Sequence, residues 1–297
     1  MALADRLAAL LPRDAAALME AHGERVTELR LRAGRPAQVV WPGGEAMSGE
    51  SIDAAALRRL LAALMDYSVY ARQDELDRGF FTLADGSRVG VCGRMFAGAG
   101  GPRMGEIGSV CVRVARALPG CADGIMGWIM DGGLPESALL ASPPGLGKTT
   151  LLRDAARQLS EAGFNVGIAD ERHELAACHM GAPTLDVGPR TDVADGCPRD
   201  EAVRRLLRSM APDVIVADEV GGPGDAEALA DAVRCGVAVL ASAHGSSFDA
   251  LAARPCLRSM LDGATFGRVM LLGPRPGAVR EVWRREWKEG MPVWTRE

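Results

Sequence analysis

The second half of the chain alternates between short apolar runs and stretches with helical periodicity. The apolar runs occur at 138–141, 166–169, 214–217, 237–241 and 269–272. Residues with helical spacing separate the runs, most clearly over 149–161, 199–210 and 225–235. Fully buried strands that alternate with helices are typical of parallel sheets. The pattern therefore predicts an α/β fold with a mainly parallel sheet.

The first part of the chain has a different pattern. Apolar residues at helical spacing predict helices over 1–23 and 51–66. Segments with an alternating or β-rich pattern predict strands at 28–32, 39–41, 79–83, 88–92 and 109–114. A short helical bridge is predicted over 119–133. We therefore predict a smaller α+β domain over residues 1–130, with antiparallel strand pairing, followed by the α/β domain over residues 131–297.

The end of the chain, 280–297, is rich in tryptophan. It contains Trp283, Trp287 and Trp294. We expect it to form an edge strand, or a helix that covers a sheet face, because large aromatic side chains stabilise such contacts. A partner-docking surface is the alternative interpretation of this segment.

The charge of the chain is nearly balanced. Its 297 residues include 34 Lys and Arg against 39 Asp and Glu, which gives a net charge of −5. This balance disfavours a nucleic-acid-binding protein, since phosphate contacts require a basic surface. Lys148 and Lys288 are the only lysines, so we interpret most cations as solvated surface arginines. A lysine in such a chain needs its own explanation. We predict that arginine is a poor substitute at Lys148, and we interpret Lys288 as residual surface charge.

Hydropathy and cysteine usage favour a cytosolic protein. No stretch of 18 or more uninterrupted apolar residues occurs, so no membrane span is predicted. The seven cysteines form no CxxC pair and are odd in number, which is typical of reduced thiols. The spacing of His173, Cys178, His179 and Cys197 does not match a typical zinc site.

A glycine-rich loop follows the apolar run 138–141 and leads into a helix. This order of strand, loop and helix is the context of a Walker A phosphate-binding motif. Gly145 and Gly147 allow backbone N–H groups to point at phosphate oxygens, and the following helix adds its positive N-terminal end. Ser142 occupies the position of the first glycine of the motif. The predicted phosphate-binding residues are Ser142, Pro143, Pro144, Gly145, Leu146, Gly147, Lys148, Thr149 and Thr150.

Three polar residues complete the predicted nucleotide site. Lys148 is predicted to reach the β- and γ-phosphates of ATP, and the Thr149 hydroxyl to hold Mg²⁺. Asp218 follows the apolar run 214–217, as in a Walker B motif, and is predicted to accept a hydrogen bond from Mg²⁺-bound water. The predicted ligands are therefore ATP and Mg²⁺.

One of two glutamates is predicted to activate the attacking water. Glu219 follows Asp218, and Glu171 closes the preceding strand after Asp170. Both glutamates lie at the carboxyl ends of predicted parallel strands, where ligands bind in open α/β sheets. The spacing leaves the choice open, and we favour Glu219. His244 ends a further apolar run and is a candidate sensor of the γ-phosphate.

These segments together resemble one family of ATPases. The chain is similar to the stage III sporulation protein AA family of endospore-forming bacteria, which is related to the hexameric type II secretion and type IV pilus ATPases. The segments that carry the resemblance are 28–36, 79–94, 142–153, 170–174, 208–219 and 241–245. Related motors lack an aspartate before the Walker B glutamate, where this chain has Asp218, so the metal-ligand assignment stays open.

The resemblance implies an architecture and an assembly. It implies a RecA-like P-loop core and an N-terminal domain that packs on the nucleotide of the neighbouring subunit. Arg88, Arg94 and Arg113 of that domain become candidate arginine fingers supplied in trans, and we include Arg113 among the catalytic candidates. The implied assembly is a homo-oligomer, a hexameric ring, on the cytoplasmic face of the membrane. Its implied partners are membrane-embedded proteins of a sporulation transport complex.

Three functions fit the sequence. The leading one is an ATP-hydrolysing motor that energises a membrane-associated transport or assembly complex in sporulation. A RecA-type nucleic-acid motor is an alternative, but the net charge and the lack of an aromatic-basic stripe argue against it. The third is a nucleotide-gated docking protein that binds ATP and barely hydrolyses it.

Overall fold

The chain forms two compact units, Met1–Arg116 and Ala117–Glu297. The computed structural model describes Leu7 and residues 10–65, 73–98, 101–115 and 117–297. The predicted helix over 1–23 is observed over Arg13–His22. Most of the first nine positions of that prediction lie outside the described residues, and so does residue 66 at the end of the second predicted helix.

The first unit contains a six-stranded antiparallel sheet. Its strands are β1 (Glu28–Arg32), β2 (Arg35–Trp41), β3 (Gly44–Ile52), β4 (Phe80–Thr82), β5 (Arg88–Gly98) and β6 (Gly101–Arg113). Its helices are α1 (Arg13–His22), α2 (Ala54–Leu64) and α3 (Gln73–Asp77), with a 3₁₀ turn at Gly23–Arg25. The strand order is β3-β2-β1-β6-β5-β4. Leu29 and Leu31 of β1 are fully buried in the same core as Leu57 and Leu60 of α2, so the alternation in β1 matches a sheet with one covered face.

Strand β3 was not predicted, and β5 and β6 are longer than the predicted 88–92 and 109–114. Strand β3 is the edge of the sheet and buries only Ser48 and Ile52. The outer halves of β5 and β6 are largely exposed. Because exposed strand segments need no apolar alternation, hydrophobic periodicity does not detect them.

The second unit contains an eight-stranded mixed sheet and a small two-stranded ribbon. Its strands are β7 (Met130–Asp131), β8 (Leu134–Pro135), β9 (Ala138–Ser142), β10 (Val166–Asp170), β11 (Thr191–Asp195), β12 (Val214–Ala217), β13 (Ala238–His244), β14 (Arg268–Leu272), β15 (Val279–Lys288) and β16 (Met291–Arg296). Its helices are α4 (Asp123–Ile129), α5 (Lys148–Glu161), α6 (Arg199–Ser209), α7 (Pro223–Arg234), α8 (Phe248–Ala252) and α9 (Pro255–Asp262). The sheet order is β11-β10-β12-β13-β9-β14-β15-β16, and β7 pairs with β8.

The predicted α/β fold with a mainly parallel sheet is confirmed. The strands from β11 to β14 in the sheet order are all parallel, whereas β15 and β16 are antiparallel. Val214 and Val216 of β12 belong to one hydrophobic core, and Ile215 and Ala217 belong to the other. A strand buried on both faces needs apolar residues at every position, which explains the short continuous runs. Strand β11 was not predicted, because it is a polar edge strand.

The two units divide at Arg116 and Ala117 rather than at the predicted boundary between residues 130 and 131. Helix α4 accounts for the difference. Ala122, Ile125 and Ile129 are buried in a core of the second unit. The Ala122 N–H also donates to Asp154 Oδ2 of α5 at 2.8 Å. The helical bridge predicted over 119–133 therefore packs with the second unit. Its own sequence does not indicate which unit it contacts.

The tryptophan-rich end of the chain forms edge strands, which was one of its two predicted structures. Strands β15 and β16 form an antiparallel hairpin at the edge of the larger sheet. Trp283 stacks on Phe248 with ring centroids 4.6 Å apart, and Trp294 lies 5.4 Å from the same ring. In the described part of the chain, every helix is too short or too polar to cross a membrane.

Candidate functional site

The carboxyl ends of four parallel strands lie side by side at the glycine-rich loop. In the sheet, β10, β12, β13 and β9 are consecutive neighbours. Their ends are level, because Ala169 pairs with Ala217, Ala217 pairs with Ala241, and His244 pairs with Ser142. The polar residues that follow these strands therefore meet at one edge, which is where open α/β sheets bind ligands.

The loop has the backbone conformation that a phosphate cradle requires. Strand β9 ends at Ser142 and helix α5 begins at Lys148. Gly145 and Gly147 have φ angles of 78° and 86°, in the left-handed region that favours glycine. A Cβ on Gly147 would lie 3.4 Å from the Gly277 nitrogen. Ser142 belongs to the extended strand, so the first motif position does not need the conformational freedom of glycine.

The Lys148 ammonium is held at the inner end of the loop. Its Nζ donates to Ser142 O at 3.1 Å, to Ser142 Oγ at 3.2 Å and to Pro143 O at 3.3 Å. Lys148 is only 6% exposed. Burial lowers its pKa, and the charges of Asp218 and Glu219 oppose that effect. The ammonium is thus desolvated beside a loop of backbone N–H groups, which is a suitable environment for an anionic ligand.

Thr149 and Asp218 bring two hard oxygen donors together. Thr149 Oγ1 donates to Asp218 Oδ2 at 2.5 Å. Hydroxyl and carboxylate oxygens are the ligands that Mg²⁺ prefers, and Mg²⁺ bound with a nucleotide takes only one or two of them from the protein. The described residues form no group of three or more His, Cys, Asp or Glu side chains suited to a metal. The hydroxyl and carboxylate oxygens of this pair fit Mg²⁺ that takes its other ligands from phosphate and water.

Glu219 lies in this site with both carboxylate oxygens engaged. Its Oε1 lies 2.8 Å from His244 Nε2, and its Oε2 forms an ion pair with Arg172. Partial burial raises the pKa of Glu219, but the hydrogen bond from His244 and the charges of Arg172 and Lys148 hold it below its usual value. Glu219 is therefore ionised at neutral pH, as a carboxylate that orients water must be.

His244 connects Lys148 to Glu219. Lys148 Nζ lies 3.4 Å from His244 Nδ1. An ammonium group has no acceptor, so Nδ1 can only accept from it, and Nε2 then carries the imidazole proton toward Glu219. The contacts thus assign the tautomer of His244.

The other candidate base, Glu171, is part of a separate ion-pair network. Arg199 Nη2 donates to Glu171 Oε2 at 2.9 Å, and Arg199 Nη1 donates to Asp225 Oδ2 at 2.9 Å. The side chain of Glu171 is 41% exposed, and that of Glu219 is 20% exposed. The described contacts therefore place Glu219, and not Glu171, beside His244 and Lys148.

Asp170 organises the loop after β10. Its Oδ1 accepts from the Glu174 N–H and its Oδ2 from the Ala176 N–H, both at 2.8 Å. Burial raises its pKa, and these N–H groups lower it only in part. Arg153 of α5 donates to the Glu174 and Leu175 carbonyls and ties the same loop to that helix. These contacts hold the loop that carries Arg172.

A cavity of about 630 Å³ opens beside Glu219 and His244. Arg172, Arg199 and Arg254 contribute cations to its wall. The acids that line it are Glu171, Asp200, Glu219 and Asp225. Arg254 Nη1 donates to the His244 carbonyl at 2.8 Å. The sequence pattern assigns no role to Arg254 or Arg172, because arginine is common throughout this chain, although Arg172 lies in the segment 170–174 that carries the family resemblance. Ser242 was not predicted either. Its hydroxyl group is a polar group within an otherwise apolar strand, and this departure from the pattern is a sequence signal that indicates a functional residue.

The candidate arginine fingers all lie on the first unit. Arg88 of β5 and Arg113 of β6 face each other in the strand register. The Arg113 side chain is 62% exposed, and its Nε lies 3.4 Å from Glu28 Oε2. The Arg94 guanidinium lies over the Phe96 ring at 4.9 Å. A role of these arginines in trans stays a prediction.

The cysteines are free, as expected for reduced thiols. Burial raises the pKa of Cys178 to about 12 and that of Cys121 to about 11, so both thiols stay protonated at neutral pH. His173 Nδ1 pairs with Asp195 Oδ1 at 2.6 Å. His173 thus has a carboxylate partner within the described structure.

The fold and the loop together define an α/β protein with a RecA-like core and a P-loop. The chain is similar in structure to the DotB ATPase of Legionella pneumophila, with a TM-score of 0.57 and 15% identity over 95% of this chain and 79% of that one. It is also similar to the pilus retraction motor PilT with bound ADP, with a TM-score of 0.55 and 15% identity over 95% and 81%. At this identity the similarity shows the fold.

The chain belongs to the sporulation stage III, protein AA family, whose model matches residues 3–289. It is 35% identical over 269 residues to stage III sporulation protein AA of Bacillus subtilis (strain 168). The match covers 88% of this chain and 87% of the relative. The family resemblance drawn from the sequence motifs is therefore confirmed.

Proposed function

We propose that this protein hydrolyses ATP and that the turnover drives a membrane-associated transport or assembly complex in sporulation. The observation that carries the proposal is the contact between Lys148, His244 and Glu219 beside the Thr149–Asp218 pair. These residues supply a cation for the phosphates, two oxygen donors for a metal and an ionised carboxylate for water. They are the components that P-loop ATPases use.

The proposed reaction assigns a role to each group. The backbone N–H groups of the loop and Lys148 bind the phosphates of ATP. Glu219 orients a water molecule and accepts its proton as the water oxygen bonds to the γ-phosphorus. The bond from that phosphorus to the β–γ bridging oxygen breaks, and ADP and phosphate result. Mg²⁺, held through Thr149 and Asp218, neutralises phosphate charge when bound. His244 keeps the Glu219 carboxylate in place through its Nε2 proton.

The proposed working form is a homo-oligomer, a hexameric ring, at the cytoplasmic face of the membrane. Family membership and the RecA-like fold support this form. We propose that Arg113, or its neighbours Arg88 and Arg94, contacts the nucleotide of an adjacent subunit. The exposure of Arg113 is compatible with that role. The proposed partners are membrane-embedded proteins of the sporulation complex.

Glutamine substitutions test the proposed catalytic base. Glu219→Gln keeps the size of the side chain but cannot accept a proton, so turnover should fall by about 10²- to 10⁴-fold. Nucleotide affinity, measured with a fluorescent ATP analogue, should change little. Glu171→Gln is the matched comparison, and its loss should be smaller because Glu171 pairs with Arg199. A larger loss for Glu171→Gln would reverse the two roles.

Two other outcomes would replace the proposal. Wild-type turnover no higher than that of Glu219→Gln, even in assembled protein, would indicate the nucleotide-gated docking protein. Turnover stimulated by DNA, with a steep salt dependence, would indicate the nucleic-acid motor. The mass of the protein with and without a non-hydrolysable ATP analogue tests the ring, and a strict monomer would contradict it.

A further inference from the structure

A buried hydroxyl group lies between the two acidic residues that follow β12. Ser242 of strand β13 is fully buried. Its Oγ donates to Asp218 Oδ1 and accepts from the Glu219 N–H at 2.9 Å. The Ser242 carbonyl also accepts from the Val220 N–H at 2.8 Å. One residue thus contacts three consecutive residues at the end of the neighbouring strand.

The hydroxyl is not required by the packing of the strand. Strand β13 is otherwise apolar until His244, and Leu240, Ala241 and Ala243 are fully buried. Burying a hydroxyl in such a strand is unfavourable unless its hydrogen bonds are made. Ser242 makes one as donor and one as acceptor, and both partners belong to the candidate site. Its contacts therefore point to the site rather than to the core.

The contact with Asp218 selects the carboxylate oxygen that faces Thr149. Because Ser242 binds Oδ1, the carboxylate is oriented with Oδ2 toward the Thr149 hydroxyl, at 2.5 Å. A carboxylate without that contact rotates more freely about its Cβ–Cγ bond. The Glu219 N–H also donates to Oδ1, at 3.1 Å. Ser242 and this N–H, which Ser242 Oγ itself accepts, thus fix together which oxygen is presented at the proposed Mg²⁺ position.

The contact with the backbone holds Glu219 in an unusual conformation. Glu219 has a φ of 55°, in the left-handed region that residues with a Cβ seldom adopt. Such a conformation persists only where the surroundings hold it. The hydrogen bond from the Glu219 N–H to Ser242 Oγ is one such restraint, and the bond from the Val220 N–H to the Ser242 carbonyl is the next. The Glu219 side chain then reaches His244.

We propose that Ser242 is a positioning residue that aligns the metal-facing oxygen of Asp218 and the carboxylate of Glu219 at the same time. The roles given to Asp218 and Glu219 rest on the proposed ATPase function. The geometry that Ser242 imposes on them does not depend on that function. Because Ser242 is on β13 and the acids follow β12, it also couples them to the strand that ends in His244. A hydroxyl at this position is the chemical requirement, and threonine retains it.

Steady-state kinetics, nucleotide binding and hydrogen exchange on the full chain test this role. The variants are Ser242→Ala, Ser242→Thr and the matched control Ser160→Ala, which removes another fully buried serine hydroxyl that accepts a backbone N–H. For Ser242→Ala, kcat should fall by about 10- to 100-fold while the affinity for a non-hydrolysable ATP analogue in EDTA stays within about threefold. Adding Mg²⁺ should strengthen analogue binding less than in the wild type. Hydrogen exchange of the Glu219 amide should become faster.

The conservative variant and the control separate positioning from stability. Ser242→Thr should recover kcat, the Mg²⁺ effect and the protection of the Glu219 amide. Ser160→Ala should lower the thermal midpoint without changing those three quantities. The proposal is overturned if Ser242→Ala leaves the Mg²⁺ effect and the Glu219 amide unchanged, or if folded Ser242→Thr does not recover them. If wild-type protein shows no more turnover than Glu219→Gln, the ATPase proposal fails, while the Mg²⁺ and exchange measurements still decide the role of Ser242.

Discussion

Replacement of Lys148 with arginine preserves the charge but changes its shape. The three N–H groups of the ammonium share four acceptors around a single atom. Ser142 O, Ser142 Oγ and Pro143 O are the nearest, at 3.1–3.3 Å, and His244 Nδ1 lies at 3.4 Å. A guanidinium is planar and spreads its donors over a fork, so it cannot reproduce three bonds from one point. The site is also closely packed, since Lys148 is only 6% exposed. We therefore expect Lys148→Arg to impair turnover.

The magnitude follows from the interactions that are lost. A hydrogen bond to a charged group contributes about 1.5–3 kcal/mol. Loss of one such bond to a phosphate in the transition state corresponds to about a 10- to 150-fold fall in kcat/KM. Overpacking of a buried site costs about 1–3 kcal/mol in addition, and this cost should appear as a lower thermal midpoint.

The chain itself offers the control, because it has one other lysine. Lys288 is on strand β15, its side chain is 60% exposed, and its Nζ lies 3.4 Å from Glu286 Oε2. Lys288→Arg should leave steady-state ATP turnover within about twofold of wild type, as expected for an exposed ion pair. The assay is phosphate release over a range of ATP concentrations for both variants. Turnover of Lys148→Arg within about threefold of wild type would show that the compact ammonium is not required at this position.

Two further predictions concern charged residues next to the site. Arg172 helps to hold the pKa of Glu219 below its usual value, so Arg172→Gln should raise that pKa and move the acidic limb of kcat/KM to higher pH. The shift should be under about one pH unit, because the Arg172 side chain is 57% exposed and solvent screens it; an unchanged pH–rate profile would contradict it. Asp170→Ala leaves two backbone N–H groups without their acceptor, so urea unfolding should show a loss of about 2–4 kcal/mol. The exposed Asp192→Ala is the control and should stay within about 0.5 kcal/mol.

Much of the fold was predictable because burial leaves a periodic record in the sequence. The runs 166–169 and 214–217 are apolar at every position, since both faces of these strands are covered. Strands β3 and β11 are polar edge strands and leave no such record. The observed boundary between the two units also differs from the predicted one. The reason is that the sequence of α4 shows an apolar face but not the unit on which that face packs.

The part of the candidate site that was predictable consists of residues that lie within a sequence motif. Lys148, Thr149, Asp218 and His244 were identified from local order alone, since each adjoins the end of a buried strand or the loop. The roles of Glu171 and Glu219 were left open by spacing. The structure separates them by their partners, which are Arg199 for Glu171 and His244 with Arg172 for Glu219.

The class of fold, the phosphate loop and the family were predictable from the chain alone, because they depend on periodicity and on residues that are adjacent in the chain. Three features became visible only in the folded chain. Glu219 is the glutamate that contacts His244, Oδ2 is the oxygen of Asp218 that faces Thr149, and Ser242 lies between the two acids. Those contacts join residues on different strands. Strand order and register, set by packing over the whole second unit, bring them within hydrogen-bonding distance.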